Sequence, residues 1–309
     1  MNKRQRQVQK SLLKNEIEVI KELEKSYQKA LNDINGVIAR LLARKDTQNI
    51  QSIIYQVKYQ TALKKEIEAF LSVLHSNNYT LIDNYLKDCY TNSHIGTLFS
   101  MQGSGVPLIL PLEQEQMISA ITLNSKLSEP LYNSLGYNID HLKVNVASEI
   151  SRGIAQALSY EQMARNLKSV TDVDYNKSIR IARTEGHRIQ NESAYNVMVR
   201  AKKKGCKIVK QWDSTLDSKT RPTHQELDGQ IVEVDDYFVS SSGAKALYAG
   251  GFGNPKEDCN CRCCVLEIPE WSLTDEEFTK MNGETNELQH FENVDDYNEF
   301  KKIFWRVTE

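Results

Sequence analysis

The sequence predicts an α+β protein: a predominantly α-helical N-terminal and central body followed by a small β-containing C-terminal domain. Three observations carry this. Apolar residues recur at helical spacing over most of the first 200 positions. Only 14 Gly and 6 Pro punctuate 309 residues, too few for a turn-dense all-β architecture. At Cys206 the hydrophobic period changes from helical to alternating. Length at about 100–200 residues per domain predicts two units, and the segments read as 1–140, 141–269 and an acidic tail, 270–309.

The first helix is expected over 10–45. Leu13, Ile17, Ile20, Tyr27, Leu31, Ile34, Ile38 and Leu41 follow steps of four and three, with Glu24 the skipped position. Such a stripe serves either an oligomerising coiled coil or a helix packing on its own domain. A second helix is expected from Asp46, with Ile50, Ile53, Ile54, Val57, Leu63, Ile67, Phe70, Leu71 and Leu74 on its apolar face, and a third from Asn77 to Tyr90. Short connections predict antiparallel neighbours. Residues 92–112 hold Gly103, Gly105, Pro107 and Pro111 and read as a surface loop with a short strand at Leu108–Leu110. Helical patterns resume at Glu113–Lys126 and from Ile139. Ser159 is the expected N-cap of a helix over 160–168, and a long helix follows from Asp174 to Lys204, with Gly205 as its stop.

Alternation over Lys207–Trp212, Gly229–Val234 and Cys261–Ile268 predicts three strands separated by Gly- and Ser-rich turns. The tail from Glu270 carries eleven Asp or Glu against four Lys or Arg. Two short helices are expected there, one starting after Ser272 or Thr274, either as a solvated tail or as a docking segment.

A net charge of −2 and pI near 6.4 argue against a protein that coats nucleic acid over its whole surface. Mean hydropathy is −0.53. No run of about 18 apolar residues predicts a membrane span, and the basic N-terminus lacks the apolar stretch of a secretory signal. Four of six cysteines crowd at Cys259, Cys261, Cys263 and Cys264, a pattern of thiols or metal ligands rather than a disulfide scaffold.

Cys259, Cys261 and Cys263 alternate and would share one face of a strand, with Cys264 on the other. With His224, about 35 residues upstream, they match the four N and S ligands of a tetrahedral zinc. The alternative is a set of buried reduced thiols with His224 bonded to a carbonyl. Asn176–Lys210 holds ten Lys or Arg against two Glu. Lys202, Lys203, Lys204, Lys207 and Lys210 close the helix and exceed what its dipole needs, which points to phosphate contact. Nucleophile elbow, zinc-protease and Walker patterns do not occur. Gly250-Gly251-Phe252-Gly253 lacks a following helix, and Glu185, Asp213, Asp217 and Asp228 are scattered carboxylates. Enzymatic function is therefore not expected.

Ala182-Arg183-Thr184-Glu185, the run from Gln211 to Gln230, and Asn260-Cys261-Arg262-Cys263 resemble phage minor head proteins, the head-morphogenesis family typified by the F protein of phage Mu. The likeness covers 145–269 and places Arg183, Thr184, Glu185, Trp212, Asp217, Arg221, His224, Gly229, Cys261 and Cys263 on its pattern. A histidine often precedes the first cysteine by three residues in that pattern. Asp258 stands here, so either Cys259 replaces the ligand or no metal binds. The resemblance implies a virion component in few copies, present in the host cytoplasm during assembly. It would be incorporated with the portal beside major capsid or scaffold protein, without a membrane, and in some members in contact with double-stranded DNA. A DNA-binding accessory protein that travels with the genome, and an ADP-ribosyltransferase-like or nuclease enzyme, are the competing readings. Under the first reading, Arg183 and Glu185 would tie the long helix to the β unit.

Overall fold

The computed structural model describes residues 1–42, 57–122, 131–156, 158, 160–272, 278–281 and 288–306. Helices dominate: α1 (Lys3–Leu42), α2 (Val57–Gly103), α3 (Gln114–Thr122), α4 (Leu131–Ala155) and α5 (Tyr160–Lys203). Then follow β1 (Ile208–Asp213), α6 (Pro222–Leu227), β2 (Ile231–Glu233), β3 (Phe238–Val239), β4 (Lys245–Ala246), α7 (Pro255–Asp258) and β5 (Cys264–Pro269). The tail contributes a 3-10 turn (Glu270–Ser272), β6 (Phe278–Met281), β7 (Leu288–Phe291) and α8 (Val294–Arg306). The α+β class and the helical body stand as the sequence predicts.

The chain divides into two compact units. One comprises 1–16, 86–127 and 183–309, the other 17–85 and 128–182. They interleave along the chain because α1, α2 and α5 each give residues to both.

The unit of 17–85 and 128–182 is built on aliphatic packing. Tyr27, Leu31, Ile34 and Ile38 of α1, Ile67, Leu71 and Leu74 of α2, Leu142, Val146 and Ile150 of α4, and Met163 and Leu167 of α5 form its core. The α1 stripe holds through this half. Toward the N-terminus it leaves the buried face: Leu13 is 56% and Ile17 45% exposed, and Leu12, Val19 and Leu23 are buried instead. A straight helix drifts about 20° per heptad from a 3.5-residue repeat, so two heptads bring the neighbouring residue inward.

Helix α2 corrects two expectations. It passes through Asn77 unbroken, Asn78 being buried inside it, and continues to Gly103 across most of the expected loop. Gly96 serves close packing rather than a break: a Cβ there would meet Val8 Cγ1 of α1 at 2.4 Å. The helix ends at Gly105, whose φ of +82° closes a Schellman cap with Gly105 N–H on Gln102 O and Val106 N–H on Met101 O. Residues 106–113 form no strand, so Leu108–Leu110 is coil. Helix α5 starts at Tyr160 and runs unbroken to Lys203, merging two expected helices. It ends in the same cap at Gly205, with Gly205 N–H on Lys202 O and Cys206 N–H on Ala201 O. The Asp46 start, Ile50, Ile53, Ile54, Ser159 and Thr274 lie outside the described residues.

Strands β2, β1 and β5 form one antiparallel sheet in that order, with Lys210 opposite Val232 and Trp212 opposite Val265. Its core holds Ile208, Trp212, Val234, Phe238 and Val265 with Met101, Val197 and Met198. Strand β5 begins at Cys264, not Cys261. The tail forms a β6–β7 hairpin, with Phe278 opposite Phe291, where a helix was expected. It is not a solvated tail: Phe291, Tyr297 and Trp305 pack on buried Leu216.

Candidate metal centre

The site lies where α6, the turn before β5 and the end of β1 converge. Pro222 starts α6 at a position that needs no backbone N–H and sets His224 in its first turn. The sulfurs of Cys261 and Cys263 come from the turn Asn260–Cys263. Asn260 takes φ +54°, a left-handed conformation asparagine tolerates, and its N–H donates to Thr184 Oγ1 at 3.1 Å. The two cysteines meet through this turn rather than through strand alternation.

Helix α5 holds the turn with three residues on one face. Besides Thr184, His187 Nε2 contacts Cys263 O, and Asn191 donates to Cys263 O (3.3 Å) and accepts from Val265 N–H (3.0 Å). Arg183 Nε pairs with Glu16 at 3.1 Å, and Glu185 pairs with Arg188 of its own helix at 2.9 Å. The 215–221 loop holds the turn from the other side. Asp217 binds the Arg262 guanidinium through both oxygens, Thr215 Oγ1 donates to Arg262 O at 3.2 Å, and Arg221 donates to Cys259 O. Gly229, at φ +85°, turns the chain back so that its N–H reaches Trp212 O.

His224, Cys261 and Cys263 are 1%, 4% and 3% exposed, and their ligand atoms lie within 4.8 Å of one another. Nδ1 of His224 is 3.3 Å from Cys263 Sγ and 3.7 Å from Cys261 Sγ. A tetrahedral zinc with bonds of about 2.05 Å to N and 2.3 Å to S would separate those atoms by about 3.6 Å. The donor set and its spacing therefore fit such an ion, with three ligands. Cys259 is not among them. It is half-buried at the end of α7, its carbonyl taken by Arg221. Asp258 is no substitute either: its buried carboxylate accepts the Phe252 and Asn254 N–H groups at 3.1 Å each.

The surroundings are polar but ordered. Trp212 Nε1 donates to Ser214 Oγ (3.0 Å), which donates to His224 O (2.7 Å). Nε2 of His224 lies 3.1 Å from Glu257 Oε2, without the alignment of a full hydrogen bond. Glu257, absent from the sequence reading, accepts from Ser242 Oγ (2.6 Å) and Thr223 Oγ1 (2.8 Å). Burial opposes its charge, but these bonds and His224 hold its carboxyl below the ordinary range. The two thiols share a hydrogen bond. Its donation and burial push Cys261 up. Burial also opposes ionisation of Cys263, yet the bonds from Cys261 and His224 hold it well below the usual thiol range. Cys264 points to Asp213, and burial pushes its thiol up.

The five lysines separate. Lys203, Lys204 and Lys207 are exposed, whereas Lys202 is paired with Glu233 (3.1 Å) and Asp235 (3.0 Å). Lys210 is not a surface cation. Its β1 position points Nζ inward to Leu247 O (2.8 Å) and over the rings of Tyr195 and Phe238.

Residues 144–266 match the family described as Phage Mu protein F like protein. The chain is 28% identical over 264 residues to "Minor head protein GP7" of Bacillus phage SPP1, covering 80% of this chain and 81% of that protein. It is 30% identical over 306 residues to "NAD(+)--arginine ADP-ribosyltransferase EFV" of Enterococcus faecalis (strain ATCC 700802 / V583), covering 96% of this chain. The chain spans 60% of the length of that enterococcal relative. No solved structure matches. The Mu F-like segment contains the His224–Cys261–Cys263 turn and its α5 anchors, and the SPP1 likeness extends well beyond it: residues 144–266 are a Phage Mu F-like region, in a chain similar over most of its length to a phage minor head protein.

Proposed function

We propose that this chain is a structural component of a phage head, incorporated with the portal during procapsid assembly, and that its β-containing part is stapled by one zinc on His224, Cys261 and Cys263. The observation that carries the head role is the likeness to the SPP1 minor head protein over four fifths of both chains. The burial of the three ligands keeps substrate from the fourth position of the ion, which supports a staple rather than a turnover site. The enzyme named in E. faecalis aligns over only part of its length, so its activity is not carried over here. Lys203, Lys204 and Lys207 are the cations left to meet double-stranded DNA.

Quantitative mass spectrometry of gradient-purified particles and procapsids tests the head role. A few copies per particle, present before DNA packaging, are expected; absence from both overturns it. Metal analysis of the purified chain should give about one zinc per chain. A Cys261→Ala, Cys263→Ala chain should unfold around β1 and β5, and normal thermal stability with normal head incorporation would count against the staple.

A further inference from the structure

The ring of His224 is held on four sides. Phe252 stacks on it at 5.7 Å and Trp212 meets it edge-on at 5.4 Å. Both sulfurs lie at Nδ1, and Glu257 lies at Nε2. The two ring nitrogens point away from one another, so a carboxylate at Nε2 cannot join a ligand set gathered at Nδ1. Glu257 is therefore no fourth ligand. We infer that Glu257 is the positioning residue of the metal centre, its carboxylate 3.1 Å from Nε2 holding the His224 proton on that nitrogen so that Nδ1 is the ligand atom. This inference rests on the zinc reading above.

The geometry around Glu257 is that of a fixed acceptor. Its carboxylate is 3% exposed, and Thr223 next to His224 and Ser242 on the β3–β4 turn each give it a hydroxyl hydrogen. Its helix α7 is set by Pro255 at the first turn and by Asn254, whose side chain accepts from Lys256 N–H at 3.1 Å. A carboxylate behind a ligating histidine fixes the tautomer and makes the ligand more basic. The β3–β4 turn thereby belongs to the metal centre although it supplies no ligand.

The test uses the whole chain loaded with zinc. In ¹⁵N–¹H spectra that resolve imidazole nitrogens, His224 should carry its proton on Nε2, with Nδ1 shifted by the metal. Competition with a chromophoric chelator should show about 10–100-fold weaker zinc binding in Glu257→Gln. Ser242→Ala, at an exposed position, should fold normally and weaken binding in the same direction by less. The Co²⁺-loaded Glu257→Gln chain should keep its thiolate charge-transfer bands. A proton on Nδ1, or unchanged zinc affinity in both variants, overturns the role of Glu257 while leaving the centre intact. A wild-type chain that binds no zinc overturns the centre, and this inference with it.

Discussion

The two units are stabilised by different means. In the unit of 17–85 and 128–182, buried residues such as Ile34, Leu71, Leu74, Leu142 and Val146 pack aliphatic surface on helices. The unit holding the candidate metal centre buries ions as well: Arg188 between Glu185 and Glu192, Lys280 against Asp228, Lys210 among rings, and Glu257 behind His224. Apolar packing tolerates loss of a contact at a graded cost. A buried ion pair fails abruptly when one partner goes, because the other is left charged and out of water. The second unit should therefore be the more fragile to single polar substitutions and the more exact in its geometry.

Asp228 is where that difference should be largest. Its side chain is fully buried and takes the Ser214 N–H at 2.6 Å, the Tyr297 hydroxyl and the Lys280 ammonium. Lys301 donates to its carbonyl at 2.8 Å. Through these contacts β6 and α8 are fastened to the end of β1. Asp228→Ala should cost about 3–5 kcal/mol, since Lys280 would lose its nearest carboxylate and keep Asp213 at 3.6 Å and the Tyr297 ring. All three tryptophans, Trp212, Trp271 and Trp305, belong to this unit. Denaturant titration by tryptophan fluorescence should show the loss. An unchanged fluorescence midpoint would mean that the tail is not fastened through Asp228.

The counterpart lies in the aliphatic unit. Leu71 is fully buried, and Leu71→Ala should cost about 2–5 kcal/mol through lost transfer energy and a cavity. Helical circular dichroism should register it. If the units differ as argued, the fluorescence midpoint should move less than the dichroism midpoint. Coincident shifts of both would show one cooperative transition and end the distinction.

The same contrast explains what could be read from the sequence. Periodicity located Tyr27, Leu31, Ile34 and Ile38 because an aliphatic core writes itself as helical spacing. Gly205 was legible as a cap because only a left-handed residue closes it, and β1 and β2 because alternation marks a sheet. The cluster of His224, Cys261 and Cys263 could be singled out by residue type, with Cys259 added to it, but its geometry could not be read. It depends on the left-handed turn at Asn260 and on Thr184, His187 and Asn191, polar residues at spacings of three and four along α5. Glu257 left no signal, since it meets His224 across 33 residues of chain that pass through β2, β3 and β4. Gly103, Gly105, Pro107 and Pro111 misled because they mark where α2 ends, while nothing in the residues before them says that the helix runs that far. The burial of Lys210 was hidden among four other lysines, and the tail hairpin in an acidic composition.

Lys210 offers the smallest and most specific effect. Burial pushes its ammonium down to about 8, the carboxylates of Asp235 and Asp236 only partly offsetting it. An unfolded lysine holds its proton to about 10.4. Between those values the unfolded chain binds more protons than the folded one, so this residue makes stability rise with pH across roughly 8 to 10. Below that window its full penalty is present. Other alkaline groups work against the rise: burial raises Tyr27 to about 12, so unfolding favours loss of its proton sooner. Comparing wild type with Lys210→Met cancels those shared contributions. The difference in melting temperature between the two should be most favourable to the variant near pH 7 and should shrink as the pH approaches 10. The lost bond to Leu247 O keeps the gain at neutral pH modest. A difference that does not vary from pH 7 to 10 would show that Lys210 carries its charge in the folded unit as readily as in water, and that its aromatic surroundings stabilise the cation rather than exclude it.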